Sequence, residues 1–415
     1  MQKFIYTLSI YFLRLGFIVA APFSAKARQF VTGRKNIFAR LKAAFSKDAS
    51  PLVWVHCASL GEFEQGRPII EMLKAKLPNI KILLTFFSPS GYEVRKNYSN
   101  ADYIFYLPWD TPSQARTFVV ITKPALAIFI KYEFWFHYTA ELKKSGAHIV
   151  SASCILRPDQ IFFKNYGGLF RTLLKNFNFF FTQDNETHKL LASIGILNSK
   201  VAGDTRFDRV AQVIQSGTEI EQAKKFKNDQ KLFVIGSCWP EDLEALVPFI
   251  HENSSTLKFI IAPHEISESF LREIEEAIEV KSVRFSEPKE NIEDCSVLII
   301  DNIGMLAQLY RYGEFAFVGG AFGKGLHNIL EAACYGIPIF FGDKNYDKYK
   351  EANDLIMRGG AFEVSGYADL KAKYELMTVR PENFLLACEV TRSYVQENLG
   401  ATKKIVEHCL SILKK

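Results

Sequence analysis

From residue 52 onward the chain alternates short apolar runs with amphipathic stretches, and no other feature limits its fold as sharply. Residues 52–57 read LVWVHC, a nearly continuous apolar run suited to a strand buried on both faces. Residues 62–77 follow as a helix with Ile69, Ile70, Leu73 and Leu77 on one face. Runs at 81–87, 103–107, 125–130, 148–153 and 179–182 continue the pattern. Such alternation predicts a parallel, doubly wound sheet.

A polar stretch, 215–230, reads as a linker, and a second series follows it at 232–236, 259–262, 297–300 and 315–318, closed by 337–341. The expected organisation is an N-terminal anchor and basic segment (1–34), a first Rossmann-like domain (35–214), the linker (215–230), a second such domain (231–380) and a helical tail (381–415) that packs back on the first. Two sheets of similar size predict a ligand cleft between them. At 415 residues, 48% hydrophobic and 23% charged, the chain has the length and apolar content for this architecture. Its seven cysteines (57, 154, 238, 295, 334, 388 and 409) form no Cys-x-x-Cys pair. A disulfide framework or zinc ribbon is therefore not expected, and the thiols point to a reducing compartment.

Charge is concentrated at one end. Residues 1–50 hold nine Lys or Arg and a single acid, Asp48, a net charge of +8 against +6 for the whole chain, so the remaining 365 carry −2. A nucleic-acid groove would need basic charge spread over the folded domain. Residues 4–23, FIYTLSIYFLRLGFIVAAPF, are largely apolar with one charge, Arg14. Twenty helical residues rise about 30 Å, the thickness of a hydrocarbon core. Either a span with Arg14 near its centre or a helix lying in the interface fits. The basic residues that follow, Lys26 to Lys47, predict a cytoplasmic body attached to anionic inner-membrane lipid.

Four strand ends carry candidate chemistry. At His56-Cys57-Ala58-Ser59-Leu60-Gly61-Glu62 a strand turns through small residues into a helix whose first turn holds Glu62. The helix dipole favours the ionised carboxylate there, as a general base requires. A plain capping glutamate fits the same pattern. Phe317 to Glu331 runs FVGGAFGKGLHNILE, a glycine-rich loop between strand and helix that suits a phosphate, or simply a tight turn. Its spacing is neither a dinucleotide fingerprint nor a Walker loop. His327 and Asn328 are expected in the first helical turn, with Glu331 one turn on and able to accept from both hydroxyls of a ribose. Gly236-Ser237-Cys238-Trp239-Pro240-Glu241-Asp242 and Ala262-Pro263-His264-Glu265 are the others, with Ser237 and His264 as possible nucleotide contacts. No metal-ligand spacing is present.

In order, WVHCASLGEFEQGRPII (54–70), TFFSPSGYE (85–93), LPWDTPSQARTFVVITKPALAIFIKYEFW (107–135), GDTRFD (203–208), GSCWPEDLEAL (236–246), DNIGMLAQLY (301–310) and FVGGAFGKGLHNILEAACYGIPIFFG (317–342) resemble the 3-deoxy-D-manno-octulosonic acid (Kdo) transferases of Gram-negative bacteria. The resemblance implies a GT-B glycosyltransferase, two Rossmann-like domains facing a central cleft plus a membrane-anchor helix. It implies transfer of Kdo from CMP-Kdo, a co-substrate, to the 6'-hydroxyl of lipid IVA in lipopolysaccharide biosynthesis, with no metal or other cofactor. Glu62 then takes the family's proton-acceptor position beside Ser59 and Gly61, and Glu133 of the Glu-x-Trp motif lines the acceptor side. The family's CMP contacts fall on Pro263, His264, Ile303, Gly304, Met305, Asn328, Ile329, Leu330 and Glu331, and the strand-end loops add Ser237, Gly320 and His327 as donor-side candidates. Ala262-Pro263-His264 stands where the family has Pro-Arg-His, so the phosphate-binding Arg is missing from that loop, and Lys324 or a residue elsewhere is the candidate substitute. Two other readings stay open: an envelope GT-B enzyme using a UDP-sugar, and a tethered binding protein without catalysis. No nucleic-acid or protein partner is implied.

Overall fold

The computed structural model describes residues 2–46, 50–217, 219–287 and 290–414. Lys47 and Asp48 of the basic segment, Thr218 of the polar stretch and Lys415 of the tail lie outside the described residues. The chain forms two compact units, Met1–Arg209 with Leu399–Lys415, and Val210–Asn398.

The first unit holds strands β1 Leu52–Cys57, β2 Lys81–Phe86, β3 Tyr103–Tyr106, β4 Leu126–Ile130, β5 His148–Cys154, β6 Phe179–Thr182 and β7 Ser199–Val201. They pair in parallel in the order β3-β2-β1-β4-β5-β6-β7. Side chains alternate across a strand, so β1 buries both faces. Trp54 packs with Leu83, Ala127, Phe118 and Tyr138 on one face, and Val53 and Val55 with Ile82, Leu84, Ile69 and Leu73 on the other. Chain order reverses between β1 and β4, and such a switch point opens a crevice at the strands' C-terminal ends.

The second unit repeats the plan with β8 Lys231–Cys238, β9 Leu257–Pro263, β10 Ser282–Arg284, β11 Val297–Ile299, β12 Phe315–Val318, β13 Ile339–Gly342 and β14 Ala361–Val364. The order is β10-β11-β9-β8-β12-β13-β14, with the switch between β8 and β12. The series does not close near residue 341, because β14 adds in parallel to β13. The three strands that the apolar pattern misses, β7, β10 and β14, are short and lie at or next to a sheet edge, where one flank needs no apolar residue.

Residues 215–230 are more than a linker. The helix Glu221–Lys227 lies within them, burying Ala223 and Phe226, and the division between units falls inside the preceding helix Thr205–Ser216. The tail divides at Gly400, whose φ of 99° breaks the helix. The helix Pro381–Glu397 belongs to the second unit and Ala401–Leu413 to the first, where Ala401, Ile405, Val406 and Cys409 join the core beside Phe63, Ile69 and Leu73.

The N-terminal helix runs Gln2–Ala20 and is long and apolar enough to cross a membrane. Phe4, Phe12 and Val19 are exposed along it, as is Phe23 beyond its end. Its other face touches the first unit: Gln2 bonds to Tyr166 and Leu169, Ile10 is buried, and Phe17 stacks on Phe30 at 4.1 Å. The basic segment that follows is folded too, in helices Ala25–Thr32 and Ile37–Phe45. Arg34, counted among the charges expected to meet lipid, is buried instead. Its guanidinium donates to the carbonyls of Leu107, Phe30 and Phe87 and lies within about 5 Å of the Phe30, Phe87, Tyr106 and Trp109 rings.

Candidate active site

The β1–β4 switch point gathers two carboxylates. Glu62 lies in the first turn of the helix Leu60–Lys76, which starts two residues before the expected position. Ser59 is the N-cap, yet its hydroxyl donates to Glu62 Oε2 rather than accepting from a helix amide. Lys131 Nζ stands 3.8 Å from Glu62 Oε1, and the Glu62 side chain is 15% exposed. The Glu62 carboxylate thus has two local partners and stays partly open to solvent. Gly61 is exposed beside it.

Lys131 follows β4 with φ 67°, a left-handed turn that a non-glycine residue adopts only when its surroundings impose it. Two residues on, Glu133 Oε2 accepts from Trp135 Nε1 at 3.0 Å, and the same indole N–H lies 3.1 Å from His56 Nε2. His56 is fully buried at the end of β1 and lies 3.5 Å from Glu133 Oε2. Its Nδ1 pairs with Thr85 Oγ1 at 2.9 Å, and Thr85 accepts from Trp54 Nε1 at 2.7 Å. The sheet core is thus wired to Glu133 through one imidazole. Burial and then the Glu62 and Glu133 carboxylates push the Tyr132 phenol up, which places both acids near Tyr132.

The β8–β12 switch point is built from rings. Trp239 stacks on His264 at 4.4 Å, and His264 faces His327 at 4.2 Å. Trp239 Nε1 donates to His327 Nε2 at 3.0 Å, which fixes the imidazole proton on Nδ1. Burial holds His264 below its ordinary value, and burial then His264 hold His327 down at about 4. Both rings are neutral at pH 7.

Gly319 and Gly320 are demanded by the protein's own packing. A Cβ on Gly319 would lie 2.3 Å from the Ser237 carbonyl and 2.5 Å from Asp242 Oδ2, while Gly320 has φ 94°. Asp242 is buried and accepts from Trp239 N at 2.8 Å and Gly320 N at 3.0 Å, tying the two strand-end loops together. Burial raises its carboxyl to about 6. Ser237 adopts φ 53° at the end of β8. Pro263 ends β9 opposite Cys238, and the His264 amide donates to the Cys238 carbonyl.

His327 and Asn328 do not lie in a helical turn. The helix is a single turn, Leu330–Ala333, with Ile329 as its cap, because the chain from Gly325 to Asn328 runs irregularly across the switch point. Asn328 Nδ2 donates to Glu331 Oε1 at 3.0 Å, and Asn328 Oδ1 is buried with no hydrogen-bond partner. Ile303 (91% exposed) and Gly304 lie in the loop after β11, and Met305 caps the helix Leu306–Leu309. Lys324 is exposed in the glycine loop. The structure therefore gathers Ser59 with Glu62, Glu133 with Trp135, and His264 with His327. It adds His56, Lys131, Trp239 and Asp242, which the motifs contain but do not single out. Their positions at strand ends are the signal for them.

Two doubly wound parallel units, each with polar and aromatic groups at its switch point, define a GT-B-type fold. Solved structures share this fold at low identity. UDP-GlcNAc 2-epimerase from Neisseria meningitidis bound to UDP-GlcNAc matches with TM-score 0.62 and 14% identity, covering 87% of this chain and 100% of that one. The S. aureus MnaA-UDP co-structure gives 0.61 and 13%, covering 88% and 97%. Residues 35–209 match the family model of 3-deoxy-D-manno-octulosonic-acid transferase (kdotransferase). The chain is similar to the 3-deoxy-D-manno-octulosonic acid transferase of Aquifex aeolicus, 29% identical over 81% of this chain and 89% of that protein. It is also similar to that of Chlamydophila psittaci, 26% identical over 84% and 83%. Together these likenesses support a Kdo transferase.

Proposed function

We propose that the chain transfers Kdo from CMP-Kdo to the 6'-hydroxyl of lipid IVA, releasing CMP, at the cytoplasmic face of the inner membrane in lipopolysaccharide biosynthesis. The observation that carries this reading is Glu62, an accessible carboxylate in a helix's first turn at a sheet switch point, held by Ser59 and faced by Lys131. Glu62 takes the proton from the acceptor hydroxyl as the sugar–phosphate bond breaks. Attack from the face opposite CMP inverts the anomeric centre. The CMP phosphate carries the departing charge, so no acid need protonate it, and the scheme asks for no metal. Backbone amides before Leu330 and a nearby cation, Lys324 first among the candidates, stabilise that charge.

The nucleotide is assigned to the second unit. The neutral Trp239–His264–His327 stack offers ring faces and edges, and Asn328 Oδ1 lacks a donor that a nucleoside amine or hydroxyl supplies. Glu133 serves the acceptor side. The helix Gln2–Ala20 lies in the membrane interface rather than across it, because its residues from Gln2 to Phe17 contact the folded unit while Phe4, Phe12 and Val19 face outward.

The test is transfer from freshly generated CMP-Kdo to lipid IVA, with a UDP-sugar and an acceptor-free reaction run in parallel. Kdo-bearing lipid supports the reading. Turnover of the UDP-sugar alone refutes the donor, and nucleotide binding without turnover of either refutes the enzyme.

A further inference from the structure

The helix Phe136–Ser145, which starts directly after Glu133 and Trp135, has no cap of its own. Its N-cap position is Trp135, whose indole N–H is used on Glu133 and His56. The free amides of a helix start must be satisfied from somewhere. Here they are satisfied from elsewhere in the chain. Asp110, buried, accepts from the His137 amide at 3.1 Å and the Tyr138 amide at 3.0 Å. The Phe136 amide donates to the hydroxyl of Tyr6, 3.3 Å away, and that hydroxyl donates to Asp110 Oδ2 at 2.6 Å.

Tyr6 belongs to the membrane-facing helix Gln2–Ala20. Its ring packs on Phe136 at 5.7 Å and Phe170 at 6.4 Å, so the hydroxyl is aimed by contacts on its flanks. A second route joins the same helix to the same place: Phe17 stacks on Phe30, Phe30 meets Phe87 at 5.4 Å, and Phe87 meets Trp135 at 4.9 Å. Thr7 makes a third contact, 2.9 Å from His137 Nε2, but it touches no backbone amide of that turn.

We infer that Tyr6 is a positioning residue, through which the N-terminal helix sets the Glu133–Trp135 turn of the acceptor side. The helix is then part of the site and not only an attachment to lipid. Removing the hydroxyl takes one acceptor from the Phe136 amide, which then shares Asp110 with its neighbours, and leaves Asp110 with one donor fewer. The turn loosens, and Glu133 with it. The inference rests on the reading of Glu133 as an acceptor-side residue, and its test separates the two.

The experiment uses the full chain on anionic lipid vesicles, comparing wild type, Tyr6→Phe and Thr7→Val. Amide exchange of residues 136–138 is read by mass spectrometry, alongside vesicle binding and steady-state transfer. Tyr6→Phe is expected to speed exchange at 136–138 by about tenfold while β4 exchanges as in wild type. It is expected to raise KM for the lipid acceptor about fivefold or more, with KM for CMP-Kdo and vesicle binding unchanged. Thr7→Val is expected to follow wild type in exchange. Unchanged exchange in Tyr6→Phe overturns the inference, as does an equal rise in Thr7→Val. Faster exchange with unaltered acceptor KM overturns the link to the site. If wild type transfers no Kdo, the proposed function fails and the exchange comparison alone decides the coupling.

Discussion

Lys131 Nζ lies 3.8 Å from Oε1 of Glu62, on the far side of the carboxylate from the Ser59 hydroxyl. The carboxylate is thereby fixed by one group from its own helix turn and one from the end of β4. Glu62→Gln keeps the shape and removes the base. Transfer is expected to fall by about 100-fold or more, with the thermal unfolding midpoint within a degree or two of wild type. Lys131→Met removes a part-exposed ion pair of about 1 kcal/mol, and a several-fold loss follows. Equal rates in wild type and Glu62→Gln would sink the assignment of the base.

The ring stack in the second unit predicts which nucleotide stabilises the chain. CMP at about 100 times its dissociation constant is expected to add roughly 2.7 kcal/mol to the unit that binds it. His264→Ala removes the middle ring, and the CMP-induced rise in unfolding temperature should largely vanish. Larger protection by UDP than by CMP points to the other donor class.

Two groups in that unit, half-buried His327 and buried Asp242, titrate with opposite sign. His327 sits at about 4 against an ordinary 6.5, so the folded state binds fewer protons than the unfolded and loses stability as pH falls through that window. Asp242, raised from 3.8 to about 6, binds more protons when folded and gains stability over much the same range. The two offset each other in wild type. His327→Gln keeps only the second contribution, so its unfolding midpoint should gain on wild type between pH 6.5 and 4. A gap that stays constant with pH contradicts the assignment.

Much of this architecture is legible in the sequence because buried parallel strands demand unbroken apolar runs. β1, β6 and β12 fall where LVWVHC, FFFT and FAFV place them. The edge strands β7 and β10, three residues each, carry too few side chains to show a pattern. Ala223 and Phe226, two apolar positions in a polar stretch, hide a helix that the composition reads as linker. The site divides the same way. Glu62 announces itself by a strand, a small-residue turn and a helix. His56 and Trp239 act through partners distant in sequence, Glu133 and His327, and no local spacing records those pairings.

Arg34 shows what charge counting misses. Its guanidinium satisfies three carbonyls, two in buried bonds and one part-buried, and a buried one left without a donor costs about 1–3 kcal/mol. Arg34→Leu is therefore expected to destabilise the first unit by about 3 kcal/mol or more, measured by denaturant unfolding. Lys35→Ala, on an exposed neighbour, should leave stability alone and weaken binding to anionic vesicles. A stable Arg34→Leu chain contradicts the structural role.

The exposed face of the helix Gln2–Ala20 predicts how the chain meets lipid. Replacing Phe4, Phe12 and Val19 together by Ser should release the protein from vesicles, since each buried apolar side chain contributes about 1.5–3 kcal/mol at most. An epitope at the N-terminus should stay inaccessible from outside intact spheroplasts. Labelling from outside identifies a spanning helix and overturns the interfacial placement.

The helix Ala401–Leu413 completes the core of the unit that contains residue 62, packing on the helix Leu60–Lys76 and strands β4 and β5. The amides of Gly400 and Thr402 are both held by Asp208. During synthesis the residues made last are thus required by the part made first. Nearly two hundred intervening residues, Val210–Asn398, must be translated before the wall behind the proposed base can close. The apolar helix Gln2–Ala20 leaves the ribosome long before that. On the proposed reading, a nascent chain would be committed to the lipid surface before it could be catalytically complete, and the enzyme would be finished only where its acceptor is.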